Sequence, residues 1–276
     1  MRELTRDDLC IHQVCIWKQC DFSASLECFA QHEVTKTALW HPMLIETGLL
    51  EAKRALANSG VSAIAVCPMV LHDPQSGLDE ESQHQANLRV VEEAAELRAG
   101  SVITLTGGLP RTGTDVAAQR RAAMQALERL IPEARACEIR LNLEPLHPMV
   151  CGFRSVISTL YEACEIVDSF DSPDVLGVAV DSYALWWDRR LEAQIFDAGE
   201  RIHSYHVSDW LADTADVRLD RGMPGDGQID NCTIRSWVES AGYKGPVEVE
   251  IFSERNWWQK SPDAVVKTIC ERLSFM

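Results

Sequence analysis

Apolar positions along this chain fall into short dense runs, separated by longer stretches in which they recur every three or four residues. The runs read as strands over 14–17, 35–40, 61–67, 102–106, 139–144, 176–181, 202–206 and 247–251, because a short apolar run rich in Val, Ile and Leu suits a buried strand. The intervening stretches read as amphipathic helices over 23–32, 45–58, 80–98, 115–130, 156–169, 191–199, 233–241 and 262–273, each with one apolar face to bury. Boundary residues agree with this division. Gly60, Gly100 and Gly242 stand where a helix usually gives way to a left-handed residue. Ser261-Pro262 reads as an N-cap followed by proline in the first turn.

Strand and helix alternate from end to end in eight units, with no low-complexity linker between them. The expected fold is therefore α/β, a single (β/α)8 barrel spanning residues 1–276 as one domain. An open doubly wound sheet would place a phosphate-binding glycine loop after the first strand. The nearest candidate, Thr106-Gly107-Gly108, comes late and lacks that spacing.

Composition narrows the class of partner. The chain is 46% hydrophobic, enough for a full core, and 25% charged. Its net charge of −16, without a basic stripe, argues against nucleic acid, since phosphate binding needs clustered Lys and Arg. No run approaches the roughly 20 apolar residues of a membrane span, and the charged N-terminal stretch does not resemble a secretory signal. The ten cysteines include no Cys-x-x-Cys pair, and several, such as Cys67 and Cys164, sit in apolar runs as small hydrophobes. A reduced, cytoplasmic, soluble protein is expected.

The last four strand runs carry the chemistry. Each ends in one metal-binding side chain: Glu144, Asp181, His206 and Glu250. Side chains alternate faces along a strand. One face reads Leu141/Leu143, Val178/Val180 and Val247/Val249/Ile251; the other reads Asn142/Glu144, Gly177/Ala179/Asp181, Ser204/His206 and Glu248/Glu250. The 202–206 run fits least well, because His203 and Tyr205 would share its outer face. Active sites of such barrels lie at the carboxyl ends of the strands, so four neighbouring strand ends, the fifth to the eighth, can converge on one ion. Three carboxylates and an imidazole suit Mn2+, Mg2+ or Co2+, with Zn2+ also possible.

With these residues in place, the sequence resembles the xylose-isomerase-like TIM barrel superfamily of sugar isomerases and epimerases, with inosose isomerases and dehydratases, hydroxypyruvate isomerases and ketose 3-epimerases among its members. The resemblance rests on Leu143-Glu144-Pro145-Leu146-His147-Pro148, Gly177-Val178-Ala179-Val180-Asp181, His203-Ser204-Tyr205-His206-Val207-Ser208-Asp209, Gly225-Asp226-Gly227 and Val247-Glu248-Val249-Glu250. It implies that Glu144, Asp181, His206 and Glu250 bind one divalent cation per chain. It further implies that Glu144 and Glu250 form the acid/base pair, with Glu250 the preferred base. Arg221 corresponds to a substrate-binding arginine, and barrels of this kind are often dimers or tetramers.

One position departs from the family pattern. Where the family continues Asp-x-x-His, this chain has Ala184, so the usual donor near the metal is missing and His147 becomes the candidate replacement. Asp209 is a candidate to orient a ligand or bind substrate. Trp17, Trp40, Trp186, Trp187 and Trp210 lie at or beyond predicted strand ends and could stack on sugar C–H faces, Trp17 and Trp186 being the ones assigned to the site; His41 is a weaker candidate at the rim. The expected reaction is isomerisation or epimerisation of a small sugar, keto-sugar or keto-polyol by proton abstraction. An inosose-type dehydratase on the same site is the alternative, and a non-catalytic sugar-binding barrel, with only Ala184 in its favour, is the rival of another class.

Overall fold

The computed structural model describes residues 2–113 and 115–276; Met1 and Thr114, which the 1–276 span includes, lie outside the described residues. Seven strands come first: β1 (Leu9–His12), β2 (Lys36–Trp40), β3 (Ser62–Val70), β4 (Ser101–Leu105), β5 (Arg140–Leu143), β6 (Leu176–Asp181) and β7 (Ile202–Val207). A two-stranded antiparallel ribbon, β8 (Asp209–Trp210) with β9 (Arg221–Gly222), precedes β10 (Val247–Val249). Strands β1–β7 and β10 are parallel and close into a barrel in the order β1-β10-β7-β6-β5-β4-β3-β2. The (β/α)8 expectation is met.

The helices are α1 (Phe22–Gln31), α2 (His41–Thr47), α3 (Leu49–Ser59), α4 (Glu80–Glu96), α5 (Val116–Ala136), α6 (Leu160–Asp168), α7 (Ser182–Leu185), α8 (Leu191–Ala198), α9 (Asn231–Ser240) and α10 (Pro262–Glu271). Side-chain caps set the starts of α1, α4, α6, α9 and α10: Asp21, Asp79, Asp230 and Ser261 each accept a backbone N–H of the first turn, and Thr159 and Glu162 form a reciprocal capping box. The helix expected over 45–58 is two, broken at Gly48, whose φ of +80° interrupts the helical backbone. At the end of α4 the left-handed residue is Arg98, φ +56°, and not Gly100.

Two further expectations are corrected. The first strand is Leu9–His12 and not 14–17, since Leu9 and Ile11 pair with Val247 and Val249. Residues Gln13–Ile16 form a turn of 3-10 helix under the barrel mouth, fully buried. The unbroken apolar run 14–17 mimicked a strand, while the true strand was disguised by the polar residue that ends it. Trp17 therefore lies five residues beyond the strand end. The second correction concerns His203. Pairing between β6 and β7 slips, so that Val178 faces Ile202 but Ala179 faces Ser204. His203 Nδ1 lies 3.3 Å from Asn142 Oδ1, on the inner side. A Cβ on Gly177 would stand 2.0 Å from that ring nitrogen, so only glycine fits beneath it. Tyr205 does point outward, its hydroxyl donating to Asn231 O of α9 at 3.3 Å.

Candidate metal centre and cleft

Strand register brings the sequence-predicted side chains to one level. Asp181 is opposite His206 across β6 and β7, and His206 is opposite Glu248 across β7 and β10. Glu144 and Glu250 follow directly on β5 and β10. All five are buried. Ligand atoms of Glu144, His206 and Glu250 lie within 4.8 Å of one another. That spread fits donors about 2.0–2.6 Å from a shared cation. His206 Nδ1 is 3.1 Å from Glu144 Oε1, while its Nε2 is buried without a hydrogen-bond partner, 3.6 Å from Glu248 Oε2. An acid-rich donor set around an imidazole with one nitrogen unpaired fits a divalent ion.

Asp181 faces the same space differently. Its Oδ1 accepts from Tyr183 N at 2.9 Å, and its Oδ2 accepts from Arg221 Nη1 at 3.1 Å. The same Nη1 donates to Glu250 Oε2 at 3.1 Å, so Arg221 bridges Asp181 and Glu250. Its guanidinium lies over the Tyr183 and Phe252 rings, 4.4 and 5.0 Å from their centroids. The β8/β9 ribbon places it there by pairing Arg221 with Trp210.

Burial and charge pull the acids apart. Burial pushes the Asp181 carboxyl up to about 6 against the opposing pull of Arg221. Burial also acts to raise Glu250, but hydrogen bonding to His12 and the charge of Arg221 outweigh it and hold this carboxyl well below the usual range. Burial would lower His206, yet Glu248 and Glu144 reverse this and lift it to about 10. The neighbourhood thus contains an ionised Glu250 beside an acid that titrates near neutrality.

A cleft opens above these groups. Glu144, Glu250, Arg221 and His147 line it, as does Ala184, whose methyl leaves room a larger side chain would fill. The His147 ring packs 4.8 Å from Trp210, its Nδ1 accepts from Met149 N at 3.2 Å, and burial lowers its basicity. Trp40, Tyr183 and Phe252 supply the aromatic wall, and Trp40 Nε1 is buried without a partner. Trp17 and Trp186 stand one layer back. The first packs 5.5 Å from Trp40 and the second 5.8 Å from Trp210. His41 is tied to Glu93 at 3.0 Å, and it too is outside the cleft. Asp209 takes another task than ligand orientation: its carboxylate accepts N–H groups of Gly225, Gly227, Ile229 and Trp210, all at 2.9 Å, and pins the glycine loop.

The structure adds residues that the sequence did not single out. His12 Nε2 is 3.1 Å from Glu248 Oε2, its Nδ1 is 3.5 Å from Glu250 Oε1, and its ring meets that of His206 edge-on at 4.7 Å. Once β1 is framed correctly the signal is plain, for Leu9-Cys10-Ile11-His12 is a fifth strand ending in a metal-binding side chain. Cys67 Sγ lies 3.6 Å from Glu250 Oε1. Arg154 and Arg218 line the cleft from loops without periodicity.

Against known proteins, a family model described as xylose isomerase-like TIM barrel matches residues 25–270. Among solved structures, protein SMc04130 from Sinorhizobium meliloti 1021 is 37% identical, with 98% of each chain covered and a TM-score of 0.93. The IolI protein with a binding zinc atom is 18% identical, with 97% of this chain and 96% of that chain covered and a TM-score of 0.81. D-Psicose 3-epimerase from Clostridium cellulolyticum H10, solved with D-tagatose, is 15% identical, with the same coverage and a TM-score of 0.78. No curated protein matches the chain.

Proposed function

Because this chain belongs to the xylose isomerase-like TIM barrel family, we propose that it is a divalent-metal-dependent isomerase or epimerase of a small sugar, keto-sugar or keto-polyol. The observation that carries the reading is the convergence of Glu144, His206 and Glu250 donor atoms within 4.8 Å at the floor of a cleft. Asp181 completes the set from the adjacent strand. Unpaired buried carboxylates are costly, and a cation offsets that cost. Mn2+, Mg2+ and Co2+ suit the oxygen-rich donors, and Zn2+, the ion in the IolI structure, is a further candidate.

Such an ion, when bound, polarises a substrate carbonyl and acidifies the neighbouring C–H. The chain's own groups do the rest. Glu250, held ionised by His12 and Arg221, takes the proton. Glu144, beside it on the floor, returns it to the adjacent carbon or the other face. Arg221 keeps its Nη1 on Glu250 and Asp181 and fixes the orientation of the base. Trp40, Tyr183 and Phe252 exclude water from one side. With Ala184 in place of the expected histidine, His147, whose basicity burial lowers, is a candidate donor from the cleft lining.

The test is incubation of the metal-loaded protein with keto-sugars and keto-inositols in D2O, followed by mass spectrometry. Deuterium gained at one carbon with the skeleton intact is the expected result. A product lighter by one water assigns the inosose-type dehydratase reaction instead. No exchange and no product across the panel, with metal bound, overturns the enzymatic reading.

A further inference from the structure

Three arginines line the cleft, Arg154, Arg218 and Arg221, and only Arg221 has partners there. Among the described residues, Arg154 and Arg218 form no side-chain hydrogen bond or ion pair, and Arg218 Nε is buried without a partner. Both are held in place through the backbone. Arg154 N donates to Val150 O at 2.9 Å, and its peptide packs so closely on Gly108 that a Cβ there would stand 2.7 Å from Arg154 N. Arg218 N donates to Asp216 Oδ1 at 2.8 Å in the turn that leads into β9. Leu146, Val150 and Val217 surround them with apolar surface, which strengthens any charge pairing.

The protein's own acids do not account for these cations. Glu144, Asp181, Glu248 and Glu250 face Arg221 and the divalent ion of the preceding reading, which leaves one negative charge for two further guanidiniums. Burial depresses the basicity of both and the arginines repel one another; Glu144 and Glu250 attract Arg154, and Asp216 and Glu250 attract Arg218, without direct pairing and without offsetting burial. A neutral sugar would relieve neither cost.

We propose that the substrate carries an oxyanion, a carboxylate or a phosphate, held by Arg154 and Arg218 while its carbonyl end faces Glu144 and Glu250. The planar guanidinium suits both anions. This inference rests on the reading of the cleft as a sugar site and narrows it to acidic or phosphorylated sugars.

The experiment is calorimetric titration of the metal-loaded full chain with inorganic phosphate and with acetate at constant ionic strength. It is run for wild type, Arg154→Gln and Arg218→Gln, with metal content measured on each sample. Saturable binding by wild type is expected, weakened at least tenfold in each variant at unchanged metal content. The tighter of the two anions identifies the source. D-fructuronate, D-fructose 6-phosphate and D-fructose then serve as competitors on a shared carbon skeleton. No saturable anion binding by wild type overturns the inference, as does equal binding by wild type and both variants. Loss of this result with deuterium exchange into neutral keto-sugars intact removes the anion preference alone; absence of exchange removes the enzymatic reading instead.

Discussion

In the proposed reaction, Glu250 is the residue on which the chemistry turns. It touches His12, Cys67 and Arg221, and its carboxyl is held well below the ordinary range. Glu250→Gln keeps the shape and removes the base, so kcat on a proven substrate should fall by roughly 10²–10⁴-fold with the fold intact. Activity like that of wild type would take Glu250 out of the mechanism. His12 acts through others, binding Glu248 and Glu250 without reaching the cleft. His12→Gln should weaken metal affinity by about 10–100-fold, read by competition with a chromogenic chelator. An unchanged affinity would make it a packing residue.

His206 gives a pH signature in metal-free protein. Its folded pKa, about 10, lies above the ordinary histidine value because Glu248 and Glu144 favour the imidazolium. The sign follows from linkage: its stabilising contribution is complete below the unfolded value near 6.5 and fades as pH rises through about 10. After chelation, Tm should drop by several degrees between pH 7 and 10, and the His206→Gln variant should show a flatter profile. Parallel profiles for the two proteins would contradict this assignment.

Among the elements, the short β8/β9 ribbon carries most of what the strand pattern did not foretell. It delivers Arg221 to the floor of the site, and the Asp209 carboxylate locks the loop that follows by accepting four N–H groups. Gly227 is required in that loop, since a Cβ there would stand 2.2 Å from Trp210 O. Asp209→Ala leaves several buried donors unpaired and should cost about 3 kcal/mol of stability, seen in denaturant unfolding, and raise KM as Arg221 loosens. A loss of activity without loss of stability would favour direct contact with substrate. The strands from β2 to β4 were legible from apolar density alone, and the last four barrel strands from density together with parity, which His203 broke in β7. β1 was misplaced because the run 14–17 is apolar throughout, whereas the strand before it ends in His12. That slip hid His12. Arg154 and Arg218 had no signal of their own, because a loop residue has no phase to read.

For the molecule as a whole, one closed barrel gathers side chains from five strand ends onto a single acid-rich floor, with an aromatic wall and two arginines above it that have no side-chain partner among the described residues. No helix among the described residues is long and apolar enough to cross a membrane. Glu144, Asp181, His206 and Glu250 were legible because each closes a strand in the same phase, and the structure brings them to neighbouring strand ends. What strand phase left unspecified was Arg221 bridging Asp181 and Glu250, a contact made by a chain segment outside the barrel.

In the proposed site, Glu144, Asp181, His206 and Glu250 hold one ion. The most direct measurement is elemental mass spectrometry of freshly purified, untagged protein beside the Glu144→Ala/His206→Ala double variant. The account predicts about one divalent ion per wild-type chain and none in the variant. Metal-free wild-type protein that stays metal-free after each ion is added back would contradict it.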